Sequence, residues 1–137
     1  MRPAIELKVY EINKIIYKKI GEFEEGQEDK SDKEDIKTVV ESGVAESDES
    51  KGRISIEMGI IDKEGERSID AKVTGYFTIN KDVIEEQGLD LKDTLSINGA
   101  AILFPYIRSV ISMVTSLDSD NAILLPTVNV MEFLDKE

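Results

Sequence analysis

The sequence predicts an α+β domain: a four-stranded antiparallel β-sheet, a long helix in the C-terminal half packed on it, and a short terminal helix. Two observations carry that expectation. Apolar residues alternate with polar ones at residues 5–9, 54–60 and 69–79, the period of half-buried strands. Over residues 102–116 the period changes to that of a helix, with Leu103, Tyr106, Ile107, Val110 and Val114 in one stripe. At 137 residues the chain has the size of one domain, taken as 1–137.

Ile5, Leu7 and Val9 point one way, with Glu6 and Lys8 opposite. After Tyr10 the phase slips, because Ile12, Ile15, Ile16 and Ile20 no longer alternate. A bulged strand accounts for the slip; a short amphipathic helix is the competing reading. Residues 22–35 hold eight acids and two lysines, a net of −6 and half of the chain's excess. Such a stretch buries too little apolar surface to offset its ordering entropy, so an acidic flexible loop is expected there. β-Favouring residues return at 36–44. Two further strands, 54–60 and 69–79, flank the polar turn Lys63-Glu64-Gly65-Glu66 as a hairpin. Residues 82–95 predict a short helix or an irregular connection.

The helix at 102–116 is expected to begin near Pro105, since a proline is tolerated in a first turn. Phe104, Ile111 and Met113 widen its apolar stripe beyond one face, and the polar remainder is Arg108, Ser109, Ser112, Thr115 and Ser116. A helix this apolar is expected to be covered by its sheet on one side and by another subunit on the other. The small residues Ser109, Ser112 and Ser116 would let helices approach closely. Near the C-terminus Asn129 and Glu132 have capping-box spacing before Val130, Met131, Phe133 and Leu134.

The chain has no cysteine and no histidine, which removes disulfides, thiolate chemistry and the commonest general acid–base and metal ligands. No phosphate loop or metal spacing is present, so neither an enzyme nor a cofactor is expected. A net charge of −12 repels phosphates and anionic headgroups, which argues against nucleic acid and lipid as primary partners. The acidity would favour basic or neutral clients, or simply maintain solubility. In Met1-Arg2-Pro3-Ala4-Ile5-Glu6 a charge falls inside what would have to be the apolar core of a secretory leader, and no run reaches the about 18 apolar residues of a membrane span, so a cytoplasmic location is expected.

The run Ile102-Leu103-Phe104-Pro105-Tyr106-Ile107-Arg108, continued by Ser109-Val110-Ile111-Ser112, resembles the signature helix of the SecB family of chaperones. Leu124-Leu125-Pro126-Thr127-Val128-Asn129-Val130 follows at a matching distance and is similar to that family's segment before its last helix. The resemblance rests on the last third of the chain; the strands agree in pattern only.

This likeness implies a SecB-like subunit assembling as a dimer of dimers, a homotetramer, with the long helices in its centre. It implies an ATP-independent holdase that binds unfolded or presecretory polypeptides in hydrophobic grooves, here at Ile36, Val39, Val40, Val130, Met131, Phe133 and Leu134. Against that stands the reading of these same residues as ordinary core. The implied oligomer interface is Phe104, Arg108, Ser109, Ile111, Ser112, Thr115 and Ser116. Contact with the SecA motor would fall to acids such as Glu24 and Glu57. Thr127 and Val130 depart from the family's Pro and Phe, and an end at Glu137 leaves little of the tail used for that transfer. A dedicated chaperone of one client, such as an antitoxin in a toxin–antitoxin system, fits as well. A small-ligand-binding oligomer is the reading from another class.

Overall fold

The computed structural model describes residues 2–20, 34–118 and 121–125. Its elements run β1 (Ile5–Lys19), β2 (Glu34–Val44), β3 (Lys51–Asp62), β4 (Arg67–Ile79), α1 (Lys81–Glu86) and α2 (Leu91–Ser116). The strands form one antiparallel sheet in the order β1-β4-β3-β2. The fold is the α+β arrangement that the sequence predicts. The terminal helix expected after Asn129 lies outside the described residues.

β1 is a strand throughout, and the short-helix alternative for its second half does not hold. Its register against β4 shifts twice, between Leu7 and Val9 and again between Ile12 and Lys14. Each shift inserts an extra residue and reverses which side chains point inward. Tyr10, Ile12 and Ile15 therefore lie opposite Gly75, Val73 and Ala71, on the face that carries the helix. β2 begins at Glu34, so Glu34 and Asp35 belong to a strand and not to the expected loop. The rest of that loop lies outside the described residues.

α2 differs from its expectation in length. It starts eleven residues before Ile102, at Leu91, capped by the Asp90 carboxylate accepting from the Asp93 amide at 3.2 Å. Pro105 consequently sits in the helix interior and not in the first turn. It is on the outward side, next to exposed Ala101, whose carbonyl loses its helical donor but faces solvent. Gly99 lies inside the helix, where packing requires it. A Cβ there would lie 2.6 Å from Cγ1 of Ile54 on β3. The glycine lets the helix lie close on the sheet.

The core is the layer between α2 and one sheet face. Ile54, Ile56, Met58 and Ile60 of β3 and Ile69, Ala71, Val73 and Phe77 of β4 meet Leu95, Ala100, Leu103, Ile107 and Ile111 of α2. Ile123 and Leu125 close the layer after the helix.

One end of this layer is polar. In register across the sheet stand Lys19, Arg67, Asp62 and Glu34. Arg67 is 4% exposed. Its Nε donates to Oδ2 of Asp62 at 2.9 Å, and its Nη1 donates to the Thr115 carbonyl at 3.4 Å and to the Tyr17 hydroxyl at 3.5 Å. Nη2 donates to the Asn121 carbonyl. The Thr115 hydroxyl accepts from the Ile123 amide at 2.8 Å and donates to the Ile111 carbonyl. Gly65 makes room for the Asp62–Arg67 pair, because a Cβ there would fall 2.6 Å from the Asp62 carboxylate.

Two outcomes are expected in urea unfolding at matched protein concentration. Gly99→Ala gains about 1 kcal/mol of helix propensity but overpacks Ile54 at a cost of about 1–3 kcal/mol, so it should lose stability, whereas Gly59→Ala, with open space around it, should be near neutral. A stabilised Gly99→Ala would show that the helix does not need its close seat. Arg67→Met leaves Asp62 buried without its partner and should cost about 3–5 kcal/mol, with Arg67→Met/Asp62→Leu recovering part of that loss. A loss below about 1 kcal/mol would remove Arg67 from the account of stability.

Candidate functional site

The outward side of α2 is the most unusual surface of the subunit. From Asn98 to Leu117 its exposed positions are Asn98, Ala101, Ile102, Pro105, Tyr106, Ser109, Met113, Ser116 and Leu117, and none carries a charge. In a chain that is 34% charged, an uncharged exposed strip along most of a 26-residue helix marks a contact surface. The register shifts of β1 extend it sideways. Tyr10, Ile12 and Ile15 on the same side of the sheet are 40–50% exposed, and Tyr10 meets Tyr106 with ring centroids 4.3 Å apart. Sequence periodicity registered the slip in β1, but not that two successive bulges return three apolar side chains to the helix side.

The expected interface residues divide. Ser109 and Ser116 are exposed on this strip, and Arg108 and Ser112 are half-buried at its margin. Phe104, Ile111 and Thr115 are instead buried against the subunit's own sheet, which corrects their assignment to a partner-facing surface. Their volume belongs to the core because Gly99 and Ala100 bring that side of α2 down onto β3. Thr115 is engaged by Ile123 and by the turn before it.

The expected groove divides as well. Ile36 and Val40 point to the helix side of β2, opposite Ile60 and Ile56. Ile36 is 42% exposed, whereas Val40 is 6% exposed and part of the core. Val39 is 50% exposed on the other face, opposite Glu57. Strand alternation makes this split unavoidable for neighbours such as Val39 and Val40. Val130, Met131, Phe133 and Leu134 lie outside the described residues, as does Glu24.

Glu57 is not a free acid. The Lys14 ammonium holds it and also reaches Oδ2 of Asp70 at 3.0 Å. These hydrogen bonds, that to Glu57 first and that to Asp70 second, raise the Lys14 pKa above its ordinary value. Elsewhere the Tyr76 hydroxyl donates to Glu11 at 2.8 Å, which raises the tyrosine. Neither arrangement has the form of a catalytic centre, and among the described residues no group of carboxylates is placed to hold a metal. The hollows of the described surface, about 330–560 Å³, are open to solvent. α2 has the length and composition of a membrane-crossing helix, but here its buried side is the roof of the core.

No protein-family model matches the chain. It is 37% identical over 62 residues to the uncharacterized protein MJ0357 of Methanocaldococcus jannaschii, a match covering 45% of this chain and 37% of that protein. The chain thus spans well under two thirds of the length of this relative. Among solved structures it is similar to the Mycobacterium tuberculosis SecB-like chaperone Rv1957, solved in complex with a ChAD peptide from the Rv1956 HigA1 antitoxin. That likeness has a TM-score of 0.65 at 13% identity and covers 91% of this chain and 88% of the other. A protein of unknown function from Streptococcus agalactiae superposes with a TM-score of 0.52, also at 13% identity, over 90% of this chain and 97% of that one. At this identity the likeness is one of architecture: the chain has a SecB-like fold.

Proposed function

We propose that this protein is a SecB-like, ATP-independent chaperone that holds unfolded polypeptide on exposed apolar surface, without enzymatic activity, in the cytoplasm. The observation that carries the reading is the uncharged outward strip of α2 with Tyr10, Ile12 and Ile15 beside it. A highly charged chain keeps such a surface when something covers it. Burial is worth about 25 cal/mol per Å² and requires little of a covering sequence beyond apolar side chains.

In this reading Ser109, Ser116 and Met113 meet α2 of a second copy, building the dimer of dimers. Ile36, together with Val130, Met131, Phe133 and Leu134, takes the client. The excess of acid elsewhere keeps a loaded complex soluble and draws in basic segments. A client range restricted to one protein is the second form of the reading, and the antitoxin peptide seated on the structural neighbour favours it. Delivery of presecretory chains to SecA gains no support from Glu57, whose carboxylate is held by Lys14.

The test is refolding of chemically unfolded clients without nucleotide, followed by light scattering. Suppression near one oligomer per client, across unrelated clients, is the expected result for a general holdase. Suppression of a single genomic-neighbour client alone would establish the dedicated form, and no suppression of any would sink both. Ile36→Asp should weaken holding several-fold while leaving the oligomer's mass unchanged. Ser109→Arg with Met113→Glu should instead reduce the mass measured by light scattering on a size-exclusion column; an unchanged mass would remove α2 from the interface.

A further inference from the structure

The sheet face opposite α2 has no layer over it among the described residues, and its charges differ from those of the whole chain. At its paired strand positions six basic side chains stand with six acidic ones, in a protein whose net charge is −12. The acids are largely engaged: Glu57 and Asp70 by Lys14, Glu11 by the Tyr76 hydroxyl, and Glu6 by Lys8. The bases are largely not. Among the described residues Lys18, Lys37, Lys51, Arg53 and Lys72 take part in no ion pair, which leaves five available cations against Asp35 and Glu41.

Two of these cations converge on one hollow. Arg53 and Lys72 line a space of about 330 Å³ with Ser55 and Thr74, and Glu41 stands on its β2 side. A second hollow of about 500 Å³ adjoins it, since Arg53 and Tyr76 line both. The second is walled by Gly43, Val44, Ala45 and Gly52, with Lys51 and Glu46 also lining it. Gly43, directly opposite Arg53, leaves the guanidinium uncovered on that side. From β4 to β2 is about 10 Å, the length of about three extended residues.

We propose that this uncovered face docks a partner's acidic peptide segment, with a carboxylate on Arg53 and Lys72 and a neighbouring apolar side chain in the hollow at Val44 and Ala45. Guanidinium and ammonium groups without carboxylate partners form charge-assisted bonds to a carboxylate, and the arginine fork fits it with two parallel bonds. The Tyr76 ring between the hollows supports the segment as it crosses. This site lies on the opposite side of the sheet from Ile36 and from the outward strip of α2, and it does not depend on the client assignment.

The test is fluorescence anisotropy of a labelled, end-capped peptide alternating glutamate and leucine, with the full-length protein. Binding is expected, about tenfold weaker for Arg53→Gln or Lys72→Gln and weakened further by salt. Lys18→Gln, which removes the same charge from the same face outside both hollows, should leave it unchanged. Circular dichroism and oligomer mass check that each variant is folded. Equal binding of the glutamine–leucine peptide, or an equal loss with Lys18→Gln, would overturn the site. Displacement of the peptide by inorganic phosphate at equal concentration would reduce it to a simple anion site and overturn the peptide assignment.

Discussion

A buried guanidinium holds together the end of the molecule where the strands, the helix and the chain beyond it meet. Arg67 carries its charge at 4% exposure, and every group it bonds belongs to a different part of the fold. Asp62 is its partner across the β3–β4 hairpin, Tyr17 comes from β1, Thr115 from the last turn of α2, and Asn121 from the segment that follows. A charge so placed costs several kcal/mol in lost hydration unless it is paired and its donors are used. Here the carboxylate of Asp62 supplies the pair, and the Thr115 and Asn121 carbonyls with the Tyr17 hydroxyl accept three further N–H groups. Burial works against the charge, yet the bonds to Tyr17 and Asp62 leave the Arg67 pKa above its ordinary value.

The same group solves a problem at the end of α2. A helix ends in carbonyls without intrahelical donors and a partial negative charge, usually answered by a basic residue in the last turn. α2 has none there. The cation arrives from the first residue of β4 instead, which donates to the Thr115 carbonyl, while Ser116 and the Leu117 amide serve the carbonyls of Met113 and Val114. Asp118, just past the helix, would repel that end, but it is held by Lys19 at 3.0 Å and by the Tyr17 hydroxyl at 2.8 Å. The seating of α2 and the β3–β4 hairpin thus share one group, and the outward face of α2, which meets β1 through Tyr106 and Tyr10, is the one whose exposed residues from Asn98 to Leu117 carry no charge.

Much of the architecture was legible in the residues because one-sided burial imposes a period. Ile54, Ile56, Met58 and Ile60 alternate because one face of β3 is core and the other is solvent. The failures have equally local causes. Pro105 reads as a helix start only if its missing amide must be excused by a first turn; on a solvent-facing side the lost bond is tolerated. The start of α2 at Leu91 went unread because the expected helix was placed at its most apolar stretch, 102–116, and the acids and Gly88 before it suggested an irregular connection. Phe104, Ile111 and Thr115 were assigned outward because composition cannot say which side of a broadly apolar helix its own sheet takes. The split of Val39 from Val40 was available in strand alternation and needed only the direction of one neighbour. Tyr10, Ile12 and Ile15 required both bulges to be counted, and two bulges in one strand cancel in a simple period.

The two faces of the sheet carry opposite kinds of signal. On the helix side the outward strip of α2 from Asn98 to Leu117 exposes no charge, so recognition there has area without direction, as suits an unfolded chain or another copy of the same helix. On the open side charge is abundant and its acids are largely engaged, while five of its six bases meet no carboxylate among the described residues. Unsatisfied charge is directional and reads specific chemistry, whereas bare apolar surface reads almost any. In the proposed holdase the second property would serve clients and the first the proposed acidic partner, whatever the load. Placing the two on opposite sides of a sheet only one strand thick lets both be used at once, with Arg67 and Gly99 holding the layers between them in register.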